Sequence, residues 1–180
     1  MNIEDKLERR AFIRKTFKGL IGIGLLFGVV PFIRSCLPSK SSLALDAPLS
    51  VDISKLEPGD LMTVLWQGKP VWILRRSSSM LQSIEHPTLN LRDPSSLESK
   101  QPKVAQNQYR AIHKEYFVAF GKCTHMGCIP LLRQDAFVCP CHGSSFDLAG
   151  RVAVGVPAPR NLDIPNYHFS VDGKTLTIGA

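Results

Sequence analysis

Four of the chain's five cysteines fall within nineteen residues, Cys123 to Cys141, with one histidine among them and a second directly after the last. They occupy two short runs, Cys123-Thr124-His125-Met126-Gly127-Cys128 and Cys139-Pro140-Cys141-His142-Gly143-Ser144. Sulfur and imidazole at this density ask for a metal, a disulfide or both. Cys123 with His125, and Cys139 with His142, offer two sulfurs and two imidazoles. That set suits tetrahedral zinc or a 2Fe–2S centre with mixed ligands. The usual zinc spacings, C-x2–4-C with H-x3–5-H, are absent.

The chain has 180 residues, 44% apolar and 21% charged, which bounds one globular domain plus an extra segment and rules out a disordered chain. Its 22 basic and 15 acidic side chains leave a net charge of +7. The placement of that excess argues against nucleic acid. Residues 1–18 contain six basic side chains against three acidic ones, and no basic run elsewhere is interleaved with aromatics.

Gly19 to Ile33 is uncharged, and Thr16 to Arg34 spans nineteen residues, about 28 Å as a helix. Lys18 and Arg34 can snorkel toward headgroups. Arg9, Arg10, Arg14, Lys15 and Lys18 precede the run, so the positive-inside rule keeps residues 1–15 cytoplasmic and sends the rest across. The expected organisation is an anchor over 16–38, a flexible Ser/Ala/Pro-rich neck over 39–50 and a domain over 51–180. Arg9-Arg10-Ala11-Phe12-Ile13-Arg14 also resembles a twin-arginine export signal. Cys36 has no assigned role.

Within the domain, Leu61–Trp66 and Val71–Leu74 are β-rich runs separated by Gln67-Gly68-Lys69-Pro70, a predicted hairpin. Ser77–Ile84 predicts a short helix capped by serine. Residues 85–108 read as a long polar surface loop. Tyr116–Phe120 predicts a strand leading into the first cysteine run, and Asp172-Gly173 predicts a type I′ hairpin between His168–Val171 and Thr175–Ile178. The fold class is mostly β, an antiparallel β-sandwich behind a single transmembrane helix.

The two cysteine–histidine runs, the anchor and neck, and a later Gly155-Val156-Pro157-Ala158-Pro159 resemble the Rieske iron–sulfur subunits of cytochrome bc1 complexes, over nearly the whole chain. The resemblance implies one Rieske 2Fe–2S cluster, with Cys123 and Cys139 on the inner iron and His125 and His142 on the outer iron. It implies a disulfide between Cys128 and Cys141, which would close about 14 residues and contribute about 3 kcal/mol on chain-entropy grounds. Residues 155–159 would cover the cluster from a third side. It further implies quinol as substrate and His142 as its proton acceptor, with His125 also exposed. Cytochrome b and a c-type cytochrome would be the partners, in a dimeric complex of the bacterial inner membrane with the C-terminal domain in the periplasm. A head on such a neck could swing between a quinol site and a haem.

The chemistry is coherent with those expectations. Replacing two thiolates by neutral imidazoles lowers the negative charge of the centre and raises its potential, to roughly −150 to +300 mV. Ser144 occupies the family position whose hydroxyl bonds a bridging sulfide. Two residues later ubiquinol-oxidising relatives usually carry tyrosine, and here Phe146 stands instead, which predicts a lower potential and leaves ubiquinol and menaquinol both open. His86, His113 and His168 lie outside ligand spacing. Trp66 and Trp72 read as core or interface side chains across the hairpin, and Asp147 with Arg151 as a turn-stabilising pair. Two other readings stay open: the small Rieske subunit of a periplasmic oxidase of the arsenite oxidase type, and a zinc-stabilised binding module without redox activity.

Overall fold

The computed structural model describes residues 3–37 and 47–179. The chain divides into two units, residues 1–44 and 45–180. Most of the expected neck, residues 39–46, lies outside the described residues.

Among its described residues the first unit is one helix, α1 (Ile3–Cys36), 34 residues long and about 51 Å at about 1.5 Å per residue. It is long and apolar enough to cross a membrane once, and it carries Pro31 within its last turns. The helix begins well before the anchor expected from Thr16, so the basic segment continues the same rod.

The second unit contains nine strands in three antiparallel sheets. Its first strand, β1 (Leu49–Asp52), starts inside the expected neck because Leu49 pairs with Ile178 of β9. β2 (Leu61–Trp66) and β3 (Lys69–Arg75) form the predicted hairpin, and β4 (Tyr116–Phe120) adds to β3. The hairpin is tighter than its sequence suggests. Lys69 pairs with Trp66, so the turn is Gln67-Gly68 alone, both at positive φ (51° and 66°), the geometry of a type I′ turn. Pro70 stands second in its strand, where a missing N–H is tolerated. Trp66 and Trp72 are not cross-strand partners: Trp72 opposes Thr63 and stacks on Phe137, and Trp66 stacks on Phe120.

The helix α2 (Ser78–Glu85) starts as predicted, with the Ser77 hydroxyl accepting from the Met80 amide. The third sheet, β5 (Leu131–Arg133), β6 (Ala136–Val138) and β7 (Ser145–Asp147), has strands of three residues each, too short for a period to show in the sequence. β8 (Tyr167–Phe169) and β9 (Thr175–Ile178) complete the sheet begun by β1.

The predicted type I′ turn at Asp172-Gly173 does not form. Five residues separate the strands, the Gly173 amide donates to the Ser170 carbonyl, and Gly173 takes positive φ while Asp172 does not. Asp172 instead accepts from the Ser170 hydroxyl and the Lys174 amide, and these bonds lower its pKa.

The three sheets share one core. Leu176 and Ile178 from the first sheet with Ile53 just after β1, Val71 to Leu74 and Phe117 to Ala119 from the second, and Phe137 and Phe146 from the third are buried in a single cluster. Among the described residues every buried side-chain nitrogen and oxygen has a hydrogen-bond partner. Much of that satisfaction comes from arginine. Arg76 and Arg110 are fully buried and donate to backbone carbonyls, Arg76 to Tyr109, Lys114 and Leu148, Arg110 to Ala149, Gly150 and Leu162. Burial pulls Arg76 down to about 9 and Arg110 to about 10, so both remain cationic at neutral pH.

Candidate metal centre

The two cysteine–histidine runs are loops of one design. In the first, the Cys123 amide donates to the Cys128 carbonyl (2.7 Å) and the Gly127 amide to the Cys123 carbonyl (2.9 Å). In the second, Cys139 donates to Ser144 (2.8 Å) and Gly143 to Cys139 (3.0 Å). Each loop therefore closes five residues after its first cysteine, and each needs positive φ at the fourth, 81° at Gly127 and 72° at Gly143. Glycine takes that conformation without steric cost. β4 delivers the first loop, and the β6–β7 connection is the second.

A disulfide joins Cys128 to Cys141, thirteen residues apart, and so fastens one loop to the other. The expected pairing is what the structure holds. The Cys128, Cys139 and Cys141 sulfurs lie within 4.8 Å of one another, but the two in the disulfide have no thiolate to offer a metal. That leaves Cys123 and Cys139, both buried. The His125 and His142 rings are exposed and adjacent, centroids 4.8 Å apart at 83°. The candidate donors are thus two sulfurs inside and two imidazoles outside.

Burial pushes the Cys123 thiol up, and neighbouring Cys139 adds to the rise. The His125 amide and the Ser144 hydroxyl, hydrogen-bonded to that sulfur, pull the other way. Ser144 is fully buried, and its Oγ accepts from the Ala158 amide at 3.0 Å. Its own hydrogen is left to point at sulfur, and hydrogen bonds to sulfur tune an iron–sulfur centre.

Each cysteine loop is tied once to the chain over 158–160: the buried Ala158 amide donates to the Ser144 hydroxyl oxygen, and the Thr124 hydroxyl donates to the Arg160 carbonyl at 2.6 Å. A groove of about 260 Å³ opens beside His125, lined by Lys69, Lys122, Arg160 and Asp163 among others. Asp147 and Arg151 form a buried ion pair at 2.6 Å, and Asp147 also accepts from the Ala149 and Arg151 amides, a structural role as expected. His86, His113 and His168 stay away from the site: His86 ends α2, His113 packs on Phe169, and His168 is exposed on β8. Thr124, Arg92 and Asn161, which support the loops, carried no sequence signal because their partners are distant in the chain.

Paired loops, a disulfide between them, two buried sulfurs and two exposed imidazoles define a Rieske-type iron–sulfur domain, and the family profile for the Rieske [2Fe-2S] domain matches residues 49–168. The ubiquinol–cytochrome c reductase iron–sulfur subunit of Allochromatium vinosum is 44% identical, covering 97% of this chain and 89% of that protein. That of Blastochloris viridis is 37% identical over 96% and 93%. A solved hyperthermophilic respiratory Complex III contains a chain 28% identical, covering 91% of this chain and 98% of that one, with a TM-score of 0.51. The chain belongs to the Rieske iron–sulfur subunits of ubiquinol–cytochrome c reductase, whose cofactor is one 2Fe–2S cluster.

Proposed function

We propose that the chain is the electron-transfer subunit of a quinol–cytochrome c reductase, held to a bacterial inner membrane by α1 with its domain in the periplasm. It would work between cytochrome b and a c-type cytochrome within a dimeric complex. The observation that carries this reading is the split donor set: thiols buried, imidazoles exposed, on loops locked together by the disulfide.

Cys123 and Cys139 would hold the inner iron, and His125 and His142 the outer one. When bound, the cluster supplies one-electron transfer at a potential raised by its imidazole ligands. The chain's own residues do the rest. Cys128–Cys141 keeps the two loops in register. Ser144 and the His125 amide direct hydrogen bonds at the Cys123 sulfur and disperse its negative charge. His142 presents a ring nitrogen to solvent, where it can accept the proton of a quinol hydroxyl, and His125 lies edge-on beside it. The ubiquinol enzymes among its relatives favour ubiquinol as the donor.

Redox titration of the full chain in detergent, followed by electron paramagnetic resonance with iron and sulfide analysis, tests the reading. A rhombic signal at a potential well above all-cysteine ferredoxins is expected. A colourless, silent protein containing zinc would overturn it. Phe146 is fully buried in β7. Phe146→Tyr is expected to raise the midpoint, and an unchanged or lower one would remove this residue from the control of potential.

A further inference from the structure

The polar segment 85–108 is more than a surface loop. Within it Asn90 to Arg92 run antiparallel to Val152 to Val154. The Arg92 amide donates to the Val152 carbonyl at 3.0 Å, the Val154 amide to the Asn90 carbonyl at 2.8 Å, and Leu91 bridges Ala153. Asn161 ties off the other end, accepting from the Val152 amide and donating to the Asp93 carbonyl. From this platform the exposed Arg92 guanidinium reaches over the proline-rich loop. Nη1 donates to the Pro159 carbonyl at 3.2 Å and Nη2 to the Val156 carbonyl at 3.4 Å.

Two prolines, 157 and 159, remove two of the five amide donors of this loop, so what holds its carbonyls bears more on its shape. A guanidinium spans two carbonyls with donors in a fixed plane, which an ammonium does not. Between the two carbonyls lies Ala158, whose amide is the partner of the Ser144 hydroxyl oxygen.

We propose that Arg92 is a positioning residue for the iron–sulfur site, strapping both ends of the proline-rich loop so that the Ala158 amide fixes the Ser144 hydroxyl on the Cys123 sulfur. The proposal rests on the Rieske reading of the two loops. Its action on the centre runs through Ser144, and that route separates it from a general effect on folding. An exposed arginine contributes little to global stability, so the Arg92 variants fold.

The test is a double-mutant cycle on the full chain in detergent, using wild type, Arg92→Met, Ser144→Ala and the double variant, with Arg92→Lys as the conservative control. Midpoint potential and amide exchange at Ala158 are both read. Arg92→Met is expected to lower the midpoint and speed Ala158 exchange, Arg92→Lys to restore part of each, and Arg92→Met to leave the midpoint unmoved once Ser144 is alanine. An equal drop in both backgrounds, or no drop with wild-type exchange, would overturn the proposal while the cluster reading stands. Wild-type protein without iron and sulfide would overturn the cluster reading itself.

Discussion

The sheet β2-β3-β4 and the loop-rich part of the domain around β5-β6-β7 are held together by different means. The sheet is held by apolar contact: Val71, Ile73, Leu74, Phe117, Val118 and Ala119 have no exposed surface, and each strand pairs with its neighbour in unbroken register. The strands β5, β6 and β7 have three residues each, and long connections surround them. Those connections are held by side chains that reach distant backbone, with Arg76, Arg110, Arg151 and Asn161 each bonding groups tens of residues away or on another loop. Apolar packing tolerates exchange between side chains of similar volume. A carbonyl that relies on one guanidinium does not.

Methionine substitutions put that contrast under the largest strain. Leu74→Met keeps volume and is expected to cost less than about 1.5 kcal/mol. Arg110→Met is of similar shape but strips the Ala149 and Leu162 carbonyls of their donor, while the Gly150 carbonyl keeps the Leu162 amide. At about 1–3 kcal/mol per buried unsatisfied group, a loss of roughly 4 kcal/mol is expected in urea unfolding. Equal costs for the two variants would abolish the distinction.

Removing the disulfide as Cys128→Ser with Cys141→Ser comes next. A thirteen-residue separation predicts a loss of about 3 kcal/mol. Hydrogen exchange should show the lost protection concentrated at residues 123–128 and 139–144, with β2-β3-β4 unchanged. Protection lost evenly across the domain would mean that the two regions unfold as one.

The smallest effect belongs to the sheet. Gln67 occupies the first position of the type I′ turn at positive φ, where asparagine is preferred. Gln67→Asn should raise stability by about 0.5 kcal/mol, visible as a higher urea midpoint, and leave the iron–sulfur centre untouched.

The same contrast decides what could be read from the chain. Leu61–Trp66 and Tyr116–Phe120 announced themselves by β-branched and aromatic runs, and Ser77 by its place before a helix. The cysteine loops were legible because ligand chemistry demands particular residues at particular spacings. Lys69 and Pro70 were misplaced in the turn, since composition hides how few residues a turn needs when Gln67 accepts positive φ. Arg76, Arg110 and Arg92 carried no signal of their own. Their roles depend on carbonyls 33 to 72 positions away, and no local pattern encodes such a partner.

The likeness of the two cysteine loops bears on how a ligand set of this kind is made ready. Each loop closes on itself through two backbone bonds of its own, so its shape is set within the loop. What the disulfide adds is the mutual placement of the two halves. Loops held in this way lose less conformational freedom on taking a ligand, and that loss is what weakens metal capture by loose peptides.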